Sequence, residues 1–428
     1  MRLPLTSALG LGLLCVQQVA GITPPPGAES LTACSDVSVR KEIRTLSSEE
    51  WNTYKSAVEG AKSDRWIDWF GYLHERVSSK IHGNSEFFVY HRKFINDYEK
   101  ILRGYEPNVV LPYWNTMIDY QNPSGSPVLG DKYFGGNGAT GECVSTGLAN
   151  SWNFTYLGNE CLQRKFGEAD SIVTWYSPEY VTSILQSSPT YAELRAGIEN
   201  SLHGIVHLSI GGDMNTMHSP ADPIFWLHHS NIDRVYAQWQ AVDPDERTYM
   251  YDGTDSTGKE VSLNDKLTYT STAAYEVMRL GYGNMCYTYD TIKAADGDSK
   301  SLLSTRQRKC KPRPSKATQT IQKLPVKLLT NYYPSFNKKK FSPLENEMSD
   351  ITPKQPMAAE CNKSFTPPKP SEKLRGKMPY PGRLSKDYIK MMNLNPKEVK
   401  AAEERARAMV DELNAANYLS PYLFDLDK

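Results

Sequence analysis

The sequence predicts a mainly α-helical fold: a four-helix bundle with long loops between its helices and a Pro/Lys-rich C-terminal extension that ends in helix. Three observations carry this. Apolar residues recur at helical spacing in four segments between residues 65 and 242. All eight histidines of the 428-residue chain fall between His74 and His229, on or beside those segments. The formal net charge of zero is a cancellation: residues 1–289 carry 22 Lys+Arg and 33 Asp+Glu, net −11, and residues 290–428 carry 27 and 16, net +11. An acidic body is thus joined to a basic tail. The zero balance gives no argument for nucleic-acid binding. Past the N-terminus no apolar run reaches the roughly 18 residues of a membrane helix.

The first helix follows from Trp66, Phe70, Leu73, Val77 and Ile81, which share one face over residues 65–81. Ser85 can cap the second, whose inner side carries Phe87, Phe88, Phe94, Ile95, Tyr98 and Leu102. Residues 104–170, rich in Gly, Pro and Asn, read as a long loop region. A third helix is expected over about 191–208. Asp222-Pro223 opens a fourth, with Asp as N-cap and Pro at the first helical position, running to about residue 242. Residues 306–385 read as a mostly extended linker, dense in Pro and Lys. Helical character returns at 386–392 and 396–417. No internal repeat is present.

Met1-Arg2, the apolar run from Leu3 to Val19, and the small residues Ala20 and Gly21 read as a secretory signal peptide over residues 1–21. Its removal takes Cys15 and leaves six cysteines: Cys34, Cys143, Cys161, Cys286, Cys310 and Cys361. An even number in a secreted chain points to disulfides, and six allow 15 connectivities. Cys143–Cys161 is the natural local bridge. Cys34–Cys286 would tie the ends of the body, and Cys310–Cys361 would staple the tail. Asn153-Phe154-Thr155 and Asn362-Lys363-Ser364 are glycosylation sequons.

Glu199, His203 and His207 stand at i, i+4 and i+8, so on a regular helix they share one face. Two histidines so spaced can hold one metal ion together. The fourth helix carries His228-His229 and then Asp233, a carboxylate one turn beyond His229 that can orient a ligand ring. Spacing does not choose between His228 and His229. His74 and His91 lie on the apolar faces of the first two helices, with His82 in the turn between them. Four helices each pointing histidine inward suggest a bundle with metal in its core. An all-imidazole set suits copper, zinc, iron or nickel, and copper is not separated from zinc by these residues alone.

These stretches resemble the tyrosinase, catechol oxidase and hemocyanin superfamily of type 3 copper proteins, in the form of its fungal secreted members. The resemblance rests on Tyr72-Leu73-His74, on His82 with His91-Arg92, and on Leu111-Pro112-Tyr113-Trp114. It continues through Leu202-His203-Gly204-Ile205-Val206-His207, Gly211-Gly212-Asp213-Met214, and the run from Asp222-Pro223 through His228-His229 to Asp233-Arg234. It covers roughly residues 37–289 and leaves the tail out. It implies a dicopper centre, copper A on His74, His82 and His91 and copper B on His203, His207 and His229, with His228 and Asp233 behind them. It further implies a catalytic domain over 30–289 that oxidises small o-diphenols to o-quinones with O2, in tyrosinases after hydroxylating a monophenol.

By the same resemblance Glu199 matches a glutamate that helps deprotonate the incoming phenol. Tyrosinases often carry Asn after the first copper-B histidine; Gly204 stands there, which favours diphenol over monophenol oxidation. His218 lies near a substrate-gating position. Lys80 occupies the place of a cysteine that some fungal members link to the second copper-A histidine, so that thioether is absent. Tyr287-Thr288-Tyr289 resembles a tyrosine motif against which an early arginine packs, Arg40 or Arg44 here, and this supports the Cys34–Cys286 bridge. In several relatives a C-terminal extension covers the site until proteolysis. Residues 290–385 are then the linker, 386–428 a helical segment able to shield the site, and Arg306-Gln307-Arg308-Lys309 a processing sequence. The alternative functions are a hemocyanin-like oxygen carrier, a non-catalytic member of the superfamily, and a zinc hydrolase. Melanin or defence chemistry would follow from the activity class. No nucleic-acid partner is expected, and no membrane partner once the signal is removed.

Overall fold

The computed structural model describes residues 25–138, 143–158, 160–292, 332, 377–418 and 420. The expected signal peptide, Cys310, Cys361, Asn362, the processing sequence and most of the linker lie outside the described residues. Within them the chain is mainly helical, as the periodicity predicts. Helix α1 (Ser48–Ser63) precedes α2 (Trp66–Ile81) and α3 (Glu86–Tyr105). Then come α4 (Pro178–Ser187), α5 (Tyr191–Ile198), α6 (Gly204–Ile210), α7 (Pro223–Val242) and the short α8 (Pro244–Arg247) and α9 (Tyr275–Met278). The tail supplies α10 (Lys386–Met391) and α11 (Pro396–Ala415). Among the described residues no helix is long and apolar enough to cross a membrane.

Helix starts follow local chemistry. Ser47 and Glu50 form a reciprocal capping box on α1. Asp222 caps α7 through the Ile224 amide, and Arg164 clamps the same carboxylate at 2.7 and 2.9 Å. At α3 the expected cap is displaced by one residue. Asn84 Oδ1 accepts the Glu86 amide, while the Ser85 hydroxyl donates to the Asp252 carbonyl. The expected continuous helix over 191–208 is interrupted by a π-turn at Glu199–His203, between α5 and α6. Such a turn widens the helix by a residue. Glu199 and His203 therefore do not stack as regular spacing implies.

Among the described residues of the long loop region of residues 104–170, past the end of α3, the regular elements are short 3-10 turns and an antiparallel pair, β2 (Asn153–Phe154) with β3 (Glu160–Cys161), beside the Cys143–Cys161 bridge. Near the two ends of the body, β1 (Ser38–Arg40) runs parallel to β4 (Tyr287–Tyr289), and Cys34 is bonded to Cys286. Both disulfides expected within the described residues are formed. The apolar core lies between α2, α3 and α7. Trp226 stacks on Tyr98 at 3.8 Å and meets Phe94 and Phe70 at 5.1 Å each.

One buried charge group locks this frame. Asp233 of α7 receives Arg92 of α3 on one oxygen and the Tyr287 and Tyr289 hydroxyls on the other, both at 2.6 Å. Arg40 lies 3.4 Å over the Tyr287 ring and pairs with Glu99 at 2.8 Å. It is thus Arg40 that packs on the tyrosine motif; Arg44 pairs instead with Glu42 and Asp119. Asp233, expected to orient a histidine ring, has no such bond, because arginine and tyrosines take both its oxygens. Asp233→Ala would leave Arg92 buried without its counter-ion, and such losses cost about 3–5 kcal/mol. Urea unfolding should show a drop of that size.

Candidate metal centre

Six predicted ligands converge in the middle of the bundle, each 4% exposed or less. The α2/α3 side brings His74, His82 and His91 together with ring centroids 5.0–5.6 Å apart. On the other side His203 of the π-turn, His207 of α6 and His229 of α7 stand 4.7–5.3 Å apart. The two groups face each other: His91 stacks on His229 at 4.4 Å, and His82 lies 6.1 Å from His203.

Four rings are aimed by their Nδ1 atoms. His82 and His91 donate to the carbonyls four residues back, Ser78 at 3.0 Å and Phe87 at 2.7 Å. His74 and His207 donate to Met217 at 2.6 Å and Met214 at 2.7 Å, in the loop between α6 and α7. A carbonyl only accepts, so Nδ1 carries the proton and the Nε2 lone pair points inward. The Nε2 atoms of His74 and His91 are 3.4 Å apart, and those of His207 and His229 are 3.1 Å apart. Burial pushes every one of these imidazoles below its ordinary range, His82 and His207 to about 4. They are neutral, as ligands must be.

His228 is also buried here. Its ligand atom falls within 4.8 Å of those of His203 and His207, so by proximity it competes with His229. The two rings are bonded differently. His228 Nε2 lies 3.3 Å from the His203 carbonyl and its ring stacks 5.7 Å from that of His203. His229 sits between His91 and Phe225, 4.1 Å from the latter ring, in the space both groups face. His203 tests the fit of a metal most directly. Both of its ring nitrogens are buried without a hydrogen-bond partner, a costly state that a metal ion on one of them would relieve. An all-imidazole donor set of this kind fits copper.

Glu199 is fully buried beside this centre. Its Oε1 accepts the Gly83 amide at 2.9 Å, next to His82, and its Oε2 pairs with Arg195 at 3.1 Å. Burial pushes its carboxyl up to about 7, against the pull of Arg195 and Gly83. His218 lies outside both groups, half-buried and 3.0 Å from Asp213. Gly204 follows His203 and faces the tail. Phe87, an expected inner-face residue of its helix, and Phe225 wall the imidazoles, a role that apolar spacing alone does not reveal, and the Met214 and Met217 carbonyls have no counterpart among the sequence signals. The phenylalanines sat in visible apolar runs, but a backbone carbonyl leaves no mark in a sequence.

Residues 53–242 match the family description "Common central domain of tyrosinase". Tyrosinase ustQ of Aspergillus flavus is 32% identical over 292 residues, covering 60% of this chain and 80% of that protein. The chain belongs to the tyrosinase family. Within the tyrosinase family, the tyrosinase of Streptomyces lincolnensis is 29% identical, with 60% of this chain and all of that one covered. Grixazone synthase of Streptomyces griseus is also 29% identical, over 50% of this chain and 88% of its own length. Among solved structures, a variant polyphenol oxidase from Thermothelomyces thermophila aligns with 24% identity and a TM-score of 0.47, over 59% of this chain and 88% of that one. The tyrosinase family binds two copper ions with dioxygen, and the two histidine groups fit that requirement.

The Glu199 environment sets a pH signature. An unfolded glutamate ionises near 4.5 and the native one near 7, so the native state holds the extra proton between those values. The Glu199 contribution to wild-type stability therefore falls as pH rises through this window and is missing from Glu199→Gln, while the buried imidazoles contribute alike to both proteins. The stability difference between variant and wild type should shift in the variant's favour by roughly 2–3 kcal/mol from pH 5 to pH 8. Urea titrations of the metal-free proteins check this.

Proposed function

We propose that this chain is a secreted polyphenol oxidase, with residues 30–289 as its catalytic unit, that oxidises o-diphenols to o-quinones with O2. The observation that carries it is the pair of facing imidazole groups, four of whose rings are locked with Nε2 inward. His74, His82 and His91 would hold one copper ion, and His203, His207 and His229 the other. Copper would supply the electron transfer between phenol and dioxygen. His228, bonded through Nε2 to the His203 backbone, buttresses that ligand instead of joining the set. Glu199 would help take up the phenol proton, its near-neutral carboxyl being suited to a base at physiological pH. The aromatic walls of Phe87 and Phe225 keep water from the imidazoles.

The tail supports a latent form. The Gly382 amide donates to the Thr174 carbonyl at 2.8 Å. A Cβ on Gly204 would stand 3.0 Å from Leu384 and 3.2 Å from Tyr388, and one on Gly83 would stand 2.3 Å from the Asn393 carbonyl. These glycines adjoin His203 and His82. The Tyr388 ring is buried, and its hydroxyl has no partner. Glu398 pairs with Arg195 at 3.6 Å, and the Tyr180 hydroxyl binds the Ala402 carbonyl at 2.9 Å. A phenol side chain thus lies against the residue that follows His203. A second reading, an oxygen carrier or non-catalytic member, is favoured by this same cover.

Oxygen uptake by the copper-loaded protein, with catechol and with tyrosine, tests both readings. Cleavage ahead of residue 377 should raise catechol turnover at least about tenfold if the open state is a tenth populated or less. Uptake with tyrosine should stay small, given Gly204. Two bound coppers and no uptake in either form would favour the carrier. For the ligand set, His229→Ala should bind one copper and lose activity. His228→Gln should keep two, with affinity or rate reduced about 10–100-fold. Copper analysis after dialysis distinguishes them, and the opposite pattern would exchange the two roles.

A further inference from the structure

An open cleft of about 450 Å³ lies on the outer face of α2, away from the metal centre. Trp66, Trp69 and Tyr72, at i, i+3 and i+6, present 37%, 48% and 48% of their surface to solvent, and Tyr156 closes one side. Two tryptophans and a tyrosine exposed in one row are uncommon on a protein surface and mark a contact site. Nothing in the catalytic reading uses them.

The sequon Asn153-Phe154-Thr155 is fastened to this cleft. On β2 the side chains alternate, so Phe154 is buried while Asn153 and Thr155 are exposed. Asp68, which lines the cleft, accepts the Thr155 amide at 2.9 Å on one oxygen and Lys62 at 2.9 Å on the other. Lys62 also donates to the Asn153 carbonyl at 2.6 Å. Tyr156 is the next residue after the sequon.

We infer that Asn153 carries an N-linked glycan whose first sugars lie on the Trp66–Trp69–Tyr72 row. The inference rests on the secreted reading. The Asn153 Nδ2 bonds to C1 of an N-acetylhexosamine from a polyprenyl-diphosphate-linked oligosaccharide, loses a proton and releases the polyprenyl diphosphate. The apolar faces of pyranose rings suit exposed indoles. A tethered occupant fits better than a diffusible one. Both Asp68 oxygens are committed, and Asp64 already accepts the Tyr105 hydroxyl. Attachment three residues before Tyr156, which lines the cleft, gives a tethered glycan an effective concentration in the millimolar range.

The test expresses the full chain in a glycosylating host, once with its own residues 1–21 and once behind a proven leader. Peptide mapping of the secreted protein should find Asn153 occupied. Enzymatic removal of the glycan should lower the melting temperature by about 2–4 °C and increase acrylamide quenching of tryptophan fluorescence. In Trp69→Ala and Trp66→Ala the melting shift should shrink to under half. Asn153 unoccupied in protein secreted by the proven leader overturns the inference, as does an equal shift in wild type and both variants with unchanged quenching. Failure of secretion with the native residues alone counts against the secreted reading and leaves the glycan inference to the second form.

Discussion

The centre depends on how a neutral imidazole is aimed inside a protein. Each ring has two nitrogens, and only fixing one directs the other. His82 and His91 solve this within their own helical turns or just past them, through the carbonyls of Ser78 and Phe87. His74 and His207 cannot, and both borrow carbonyls from one loop, Met217 and Met214. That loop begins at Gly211 and Gly212, with φ of 66° and 55°, where a Cβ would stand 2.2 Å from the Lys165 and Gln163 carbonyls respectively. The two glycines let the chain turn against the segment before α4 and bring the methionine carbonyls to both halves of the site. A loop outside both histidine groups thus orients one histidine of each.

The same helices must be held in register, and here charge does what packing alone does not. Asp233 joins α7 to α3 through Arg92 and to β4 through two tyrosine hydroxyls, while Arg40 links β1 to α3 through Glu99. Four elements, including the two near the ends of the body, meet at a buried group. Such a network is costly to assemble and more costly to break, so it fixes one arrangement of α3 against α7. His91 and His229, one from each helix, stack at 4.4 Å as a result.

Much of this was legible. The periodic apolar residues gave α2, α3 and α7 nearly to the residue, and Asp222-Pro223 marked the start of α7. Helix α1 leaves a weak apolar signal because its buried stripe is Tyr54, Ala57, Val58 and Ala61, two of them alanines, although Ser47 and Glu50 spell its cap. The helix over 191–208 was expected unbroken, since regular spacing describes Glu199, His203 and His207 as well as a π-turn does. The choice between His228 and His229 was not readable from periodicity, because α7 is buried on nearly every side. The role of Asp233 was misread for a related reason: its helical neighbour His229 was visible, while Arg92, Tyr287 and Tyr289 lie far away in sequence.

Gly204 gains a physical meaning that its position in a motif does not supply. It leaves the space that Leu384 and Tyr388 fill, so a side chain there would press on the tail. The tail also reaches the buried acid. Burial is the main cause of the raised Glu199 carboxyl, and Arg195 opposes it; Glu398 of α11 adds to it while engaging the same arginine. A docked tail therefore favours the protonated form of Glu199 more than the body alone would. Tail contact and acid–base state are thus coupled through one guanidinium: α11, whose Glu398 pairs with Arg195, draws on the cation that would otherwise serve Glu199 alone.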